Sequence, residues 1–348
     1  MHPTHLARLF PCLAALLLVA WLSPAHVGAQ QAAPLHPVGL KQIEFTDGDR
    51  TIALAMFYPA KLEGGETTPF NMPLFVNLHL NKDAAVAEGK FPLVLLSHGR
   101  GSNPLLYAWF AETLAAQGYV VAGIYHYRAN TYDQTIAYLA NKLWQRPRDL
   151  SLAIDLLLND PAWGSRSTRS GSASPAIRKA ASPRSGSAAR RSTQINISPS
   201  RRAGRETMVP THLRNALPLD AAPALDVHDT RIKAAFAMAP GIIKAFGMTE
   251  ARLGAMSIPT YITVGARDTQ TPADENAAFA AKHIPGAELV VIPGLFDHEI
   301  FVNECDDEGR DEFPEACIDA PGVDRHAIHE EVGAAALQFF GKNLQAVP

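Results

Sequence analysis

The chain has 348 residues, 47% of them hydrophobic and 19% charged, with a formal net charge of −3. That is material for one large core or two modest ones, and it excludes a collagenous chain, a wholly disordered chain and a disulfide-dense miniprotein. The near-neutral total hides an asymmetry. Gly164–Arg205 holds nine Arg and one Lys with no acid, which leaves the rest of the chain near −13 and argues against a nucleic-acid partner.

Met1–Ala29 reads as a secretory signal peptide. A weakly basic start (His2, His5, Arg8) precedes an apolar run, Leu9–Trp21, that is short for a membrane span. Val27-Gly28-Ala29 offers the small residues of a cleavage site before Gln30. An uncleaved anchor is the competing reading. No later segment is long and apolar enough to cross a bilayer, so the expected product is secreted or periplasmic, with no integral membrane segment after signal cleavage. Cys305 and Cys317 remain in that product. An even pair in an oxidising compartment, flanking an acidic loop with no further ligand, reads as a disulfide, against the alternative of two free thiols.

From residue 30 onward one domain is expected. Val38–Phe45 and Thr51–Tyr58 alternate apolar and polar residues across Asp47-Gly48-Asp49, the pattern of an antiparallel hairpin. Pro92–Ser97 is a continuous apolar run, as for a strand covered on both faces, and a helix should follow from Pro104 to Gln117, ended by Gly118. Tyr119–Tyr125 reads as a strand and Arg148–Leu158 as a helix. Ile232–Ala239, Ile258–Val264 and Glu288–Ile292 are strand-like, and Ala273–His283 and Ala327–Asn343 are helical. The alternation predicts an α/β fold of three layers, with a mostly parallel sheet, antiparallel N-terminal strands and helices on both faces.

Gly164–Arg205 breaks the pattern. It has no aromatic residue, no acid and no apolar periodicity, so it is expected to be disordered, and it sits where the alternation needs a central strand and helix. A basic, Ser-rich inserted arm is one reading of it.

Three loops at strand ends carry candidate chemistry. Ser97-His98-Gly99-Arg100-Gly101-Ser102-Asn103 can turn backbone N–H groups toward a ligand, through Gly99, Arg100 and Gly101. Asp268, in Gly265-Ala266-Arg267-Asp268-Thr269-Gln270-Thr271-Pro272, can orient an imidazole or cap a helix, two roles that compete if they need the same oxygen. His298 follows the last strand in Gly294-Leu295-Phe296-Asp297-His298-Glu299 and is a candidate base.

An oxyanion loop, then an acid, then a His, each after its own strand, resembles the α/β-hydrolases. Met56-Phe57-Tyr58-Pro59-Ala60, LLSHGRGSN, GARDTQTP and FDHEIF resemble secreted bacterial proteins grouped with dienelactone hydrolases and platelet-activating-factor acetylhydrolases. The likeness covers roughly Val38–Gly164 and Met208–Leu344. It implies a serine hydrolase of carboxylic esters with the Arg100 amide as oxyanion donor, Asp268 as acid and His298 as base. The substrate would be a small-molecule ester, lactone or lipid-like molecule, with no cofactor, no metal and no nucleic acid.

Such a family needs G-x-S-x-G between the Gly99 loop and Asp268, and the chain has none. Ser97 precedes the glycine loop rather than sitting on an elbow. Back-translated and read one base out of register, Gly171–Pro183 can encode R-I-G-V-A-G-H-S-Q-G-G-F-T, a strand, an elbow and a helix start. The expectation is a frame slip near Gly164, compensated near Arg205, with the lost Ser codon straddling Ile177 and Arg178. As written the chain should then be inactive. A non-catalytic α/β-hydrolase-like binding protein with a basic arm is the alternative. A metal-dependent hydrolase using His98, His126 and His298 lacks H-E-x-x-H or similar spacing. Tyr107, Trp109, Tyr125, Tyr127, Phe296 and Phe301 could line an apolar pocket, and His126 and Arg128 could meet a polar group, or all could be packing.

Overall fold

The computed structural model describes residues 36–62, 69–137, 145–174, 228–241 and 248–344, and of Ser167–Ser174 the backbone alone. The signal segment and the expected elbow codon lie outside the described residues.

A hairpin opens the sheet: β1 (Val38–Asp47) and β2 (Arg50–Lys61) pair antiparallel across the Gly48 turn. Two short strands, β3 (Leu80–Lys82) and β4 (Ala85–Val86), flank it. Then come β5 (Phe91–Ser97), β6 (Val120–Tyr125), β7 (Ser167–Ser174), β8 (Ile232–Met238), β9 (Thr260–Gly265) and β10 (Glu288–Ile292). The order across the sheet is β10-β9-β8-β7-β5-β6-β2-β1-β3, with β4 paired to β2. From β10 to β6 all neighbours run parallel, and the hairpin joins through an antiparallel β2–β6 pairing. The parallel strands read as near-continuous apolar runs because helices cover both of their faces.

Side-chain parity assigns those faces. Val94, Leu96 and Val121 point into one core, with α1 (Ala108–Ala116) and α7 (Arg325–Asn343). Leu93, Leu95, Val120, Ala122 and Ile124 point into the other, under Leu150, Ala153, Ile154 and Leu157 of α2 (Gln145–Asn159). Shorter helices complete the described chain: α3 (Glu250–Gly254), α4 (Ala277–His283), α5 (Asp307–Glu312) and α6 (Pro314–Cys317). None of the described helices is long and apolar enough to cross a membrane.

Three expectations shift. The helix expected from Pro104 begins as a 3-10 turn, Pro104–Tyr107, before α1. The helix expected from Ala273 starts at Ala277, and α2 begins at Gln145, before the expected Arg148. The largest difference is β7. The tract read as disordered supplies, in Ser167–Ser174, the central strand between β5 and β8. Its side chains gave no apolar signal, but flanking strands present two rows of backbone donors and acceptors that a neighbouring strand satisfies whatever its side chains. The rest of the tract, 175–205, lies outside the described residues.

Cys305 and Cys317 are joined in a disulfide with Cα atoms 5.5 Å apart, as the pairing predicted.

Candidate active site

β9 ends at Gly265, and the chain turns through Asp268 before α4. Asp268 is buried, and its two oxygens divide the work. Oδ1 accepts the Thr271 backbone N–H at 2.6 Å, fixing the turn, while Oδ2 lies 2.8 Å from His298 Nδ1 and also accepts the Thr271 hydroxyl at 2.8 Å. The turn-capping and imidazole-orienting roles, expected to compete, are therefore both filled.

His298 opens a 3-10 helix, His298–Phe301, whose cap is Asp297. Asp297 Oδ1 accepts the His298 backbone N–H at 2.7 Å and that of Thr269 at 3.2 Å, so the two loops share a carboxylate. The His298 side chain keeps 23% of its surface exposed, while that of Asp268 keeps none. With Nδ1 donating to Asp268, Nε2 is left as the basic nitrogen. Burial would lower the His298 pKa, but the Asp268 hydrogen bond and charge, aided by Glu299 and Asp297, outweigh it and hold the pKa above the ordinary value. Burial would likewise raise Asp268, and the His298 and Thr271 donors outweigh it and hold it low.

Gly265 makes the close approach of the two loops possible. A Cβ there would lie 2.5 Å from the Phe296 carbonyl oxygen, and the same carbonyl accepts the Arg267 N–H at 3.1 Å.

The glycine loop leaves the C-terminal end of β5 at the same sheet edge. Gly101 takes a φ of 68°, which favours glycine. Thr131 N donates to Ser102 O at 2.9 Å and Thr131 Oγ1 to Gly101 O at 3.2 Å, and Tyr107 hydrogen-bonds Ser102 and Gly99. The helix that follows is tied to the segment after His298. Trp109 Nε1 donates to Phe301 O at 2.8 Å, Asn303 Nδ2 to Leu105 O at 2.8 Å, and Trp109 N to Asn303 Oδ1 at 3.1 Å. Tyr107, Trp109, Tyr125 and Phe301 are buried; Trp109 stacks on His329 at 3.8 Å, so these aromatics brace the loops by packing. Arg128 is exposed and lies 3.9 Å from Asp133.

His98 and His126 are both fully buried with ring centroids 5.1 Å apart. His98 turns its Nδ1 to the Gly99 carbonyl, 2.6 Å away, so it braces the glycine loop. Among the described residues no group of three or more His, Cys, Asp or Glu is placed to hold a metal ion. His126 instead belongs to a second cluster. Its Nε2 lies 2.8 Å from Ser97 Oγ and its Nδ1 3.0 Å from Asp149 Oδ2. Arg50 pairs with the other Asp149 oxygen, and Arg146 donates to the His98 carbonyl and to Ser97 Oγ, the latter at 3.3 Å. Sequence reading passed over Arg146 and Asp149. Their signal was a charged pair at helical i, i+3 spacing opening an apolar stripe.

The sequence model of platelet-activating factor acetylhydrolase, isoform II, matches residues 76–146, which include the glycine loop, Ser97, His126 and Arg146. No curated protein matches the chain. Among solved structures, the ferulic acid esterase from Streptomyces cinnamoneus is similar at 19% identity and a TM-score of 0.57, over 92% of this chain and 95% of that one. Est1E from Butyrivibrio proteoclasticus is similar at 13% identity and a TM-score of 0.44, over 86% of this chain and 99% of that one. The sheet order and the likeness to the ferulic acid esterase show an α/β-hydrolase fold, and the family model matches the stretch of the chain around the glycine loop.

Proposed function

We propose that this chain descends from exported serine hydrolases of carboxylic esters, acting on a small-molecule ester, lactone or lipid-like substrate, and that as written it turns over such esters at or near background. In that reading His298 is the base, Asp268 orients it, and the Gly99-Arg100-Gly101 amides stabilise the oxyanion. The observation that carries it is the Asp268–His298 hydrogen bond of 2.8 Å at the strand-end edge that also bears the glycine loop. The absent G-x-S-x-G motif is what lowers the expected rate.

The position of β7 supports the frame-slip reading. The one-base-shifted codons that give I-G-V fall on Gly171–Ser174, the second half of the central strand, and the recovered Ser codon follows past its C-terminal end. A nucleophile elbow stands at that place, between a strand and the helix after it. The N-terminal segment supports export, with mature protein beginning at Gln30.

The test is hydrolysis of short-chain aryl esters by the purified chain, with His298→Ala alongside. Rates near the uncatalysed level are expected, and sequencing codons 160–210 should uncover a one-base shift encoding the elbow. Turnover like that of an ordinary esterase, removed by His298→Ala, would mean that a nucleophile stands within reach of His298 and overturn the background-level reading.

A further inference from the structure

The second cluster follows from strand parity. Leu93, Leu95 and Ser97 of β5 face α2, as do Val120, Ala122, Ile124 and then His126 after β6. Asp149 lies on the buried side of α2, one residue before Leu150. Three residues distant in sequence are thereby stacked in one line at the C-terminal edge of the sheet. This is the edge where open α/β sheets place their chemistry.

Hydrogen-bond direction follows from the charged end of the line. Asp149 accepts from Arg50, so it serves as an ionised acceptor and His126 Nδ1 must donate to it. In the neutral imidazole Nε2 then accepts, and Ser97 Oγ–H donates to it over 2.8 Å. Ser97 Oγ in turn accepts from Arg146. The order Ser, His, Asp, with the imidazole held between hydroxyl and carboxylate, is the arrangement that activates a serine. Burial pushes the Asp149 carboxyl up to about 6, against the pull of Arg50, Arg146 and the Tyr127 backbone, which leaves it ionised at pH 7–8.

We propose that Ser97, His126 and Asp149 form a second, acyl-accepting centre, separate from Asp268–His298, with Arg146 as the charge that meets the oxyanion. Ser97 keeps 4% of its surface and His126 none, so the centre takes compact acyl groups, as in acetyl esters with a good leaving group, and reacts slowly through local opening. In acylation the Ser97 Oγ–carbon bond forms and the ester C–O bond breaks. The Ser97 proton passes to His126 Nε2 and on to the leaving alkoxide. In deacylation water gives a proton to His126 and adds to the acyl carbon. The Oγ–carbon bond then breaks, Ser97 regains its proton, and a carboxylic acid leaves.

The test is covalent labelling of the intact chain with methanesulfonyl fluoride, a probe of acetyl size, at pH 8, mapped by peptide mass spectrometry. The Ser97 oxygen displaces fluoride, and the proton leaves through His126. One adduct on Ser97 is expected. It should be lost in Ser97→Ala, slowed about 100-fold or more in Asp149→Asn, and retained in Ser165→Ala, a surface control. Thermal melts run beside each variant separate slow labelling from unfolding. Native protein that takes no label at Ser97, or an Asp149→Asn variant that labels at the native rate while folded, would reduce the cluster to packing and overturn the proposal. Neither outcome depends on His298, so this centre and the esterase reading stand or fall separately.

Discussion

The Asp268–His298 pair was legible as two loop residues after successive strands, because a strand-end acid and a strand-end imidazole have no packing reason to recur in that order. What the sequence left open was whether Asp268 could cap its turn and hold the imidazole at once, and its two oxygens resolve the conflict. The pair predicts a titration. His298 is held above its ordinary value of about 6.5, so NMR of the imidazole should give a midpoint higher than that. Asp268→Asn removes the main opposing influence, burial then dominates, and the midpoint should fall below about 6.5. The sign for stability follows. The raised His298 pKa contributes fully below its unfolded value and is lost as pH rises through the folded one. The lowered Asp268 pKa contributes above its unfolded value and is lost as pH falls through the folded one. A native His298 midpoint under 6, or one unmoved by Asp268→Asn, would detach the two side chains in solution. The Ser97–His126–Asp149 line was not legible, because its members are single residues on three elements and only parity brings them together.

At the scale of elements, the apolar strands β5, β6, β8 and β9 were readable because helices cover both faces and leave no polar alternation to confuse the period. Helix starts were placed too early where Pro104 and Pro272 led the segment, since proline fits a first turn of either 3-10 or α type. β7 was unreadable. Its place is dictated by hydrogen bonding from both neighbours and not by its own residues. The packing of β9 against the His298 loop gives a test at this scale. In Gly265→Ala the new Cβ meets the Phe296 carbonyl oxygen at 2.5 Å, and backbone must move. Overpacking of this kind costs about 1–3 kcal/mol, so the melting temperature should drop by several degrees. The His298 midpoint should fall with it as the imidazole leaves Asp268. A variant with native stability but a lowered midpoint would place the shift in the loop alone, and one with both unchanged would contradict the close approach.

At the scale of the molecule, the sheet runs parallel from β10 to β6, with β7 in the middle of that run. β5 brings Leu93, Val94, Leu95 and Leu96 to its neighbour, all fully buried, and β8 brings Ala234, Phe236 and Met238. Between them β7 has the sequence STRSGSAS, in which Ala173 is the only aliphatic residue. Replacing 164–205 by the one-base-shifted reading puts Ile and Val on that strand, each worth about 1.5–3 kcal/mol when fully buried, and a serine past its end. The repaired chain should therefore melt higher than the chain as written and hydrolyse short-chain aryl esters faster by orders of magnitude. In it, mutating the recovered Ser to Ala should abolish turnover with the melting temperature still high. His298→Ala should cost orders of magnitude, and Asp268→Asn should cost strongly through the wrong imidazole tautomer. Differential scanning calorimetry and an ester assay on the same preparations read both effects. A repaired chain that is more stable yet inert toward aryl esters, lactones and phospholipid analogues would keep the strand argument and discard the catalytic one, leaving a binding protein on a hydrolase scaffold. A repaired chain that is no more stable would discard the frame shift itself, because Ile and Val on a strand between β5 and β8 carry apolar area to bury that Ser and Ala lack.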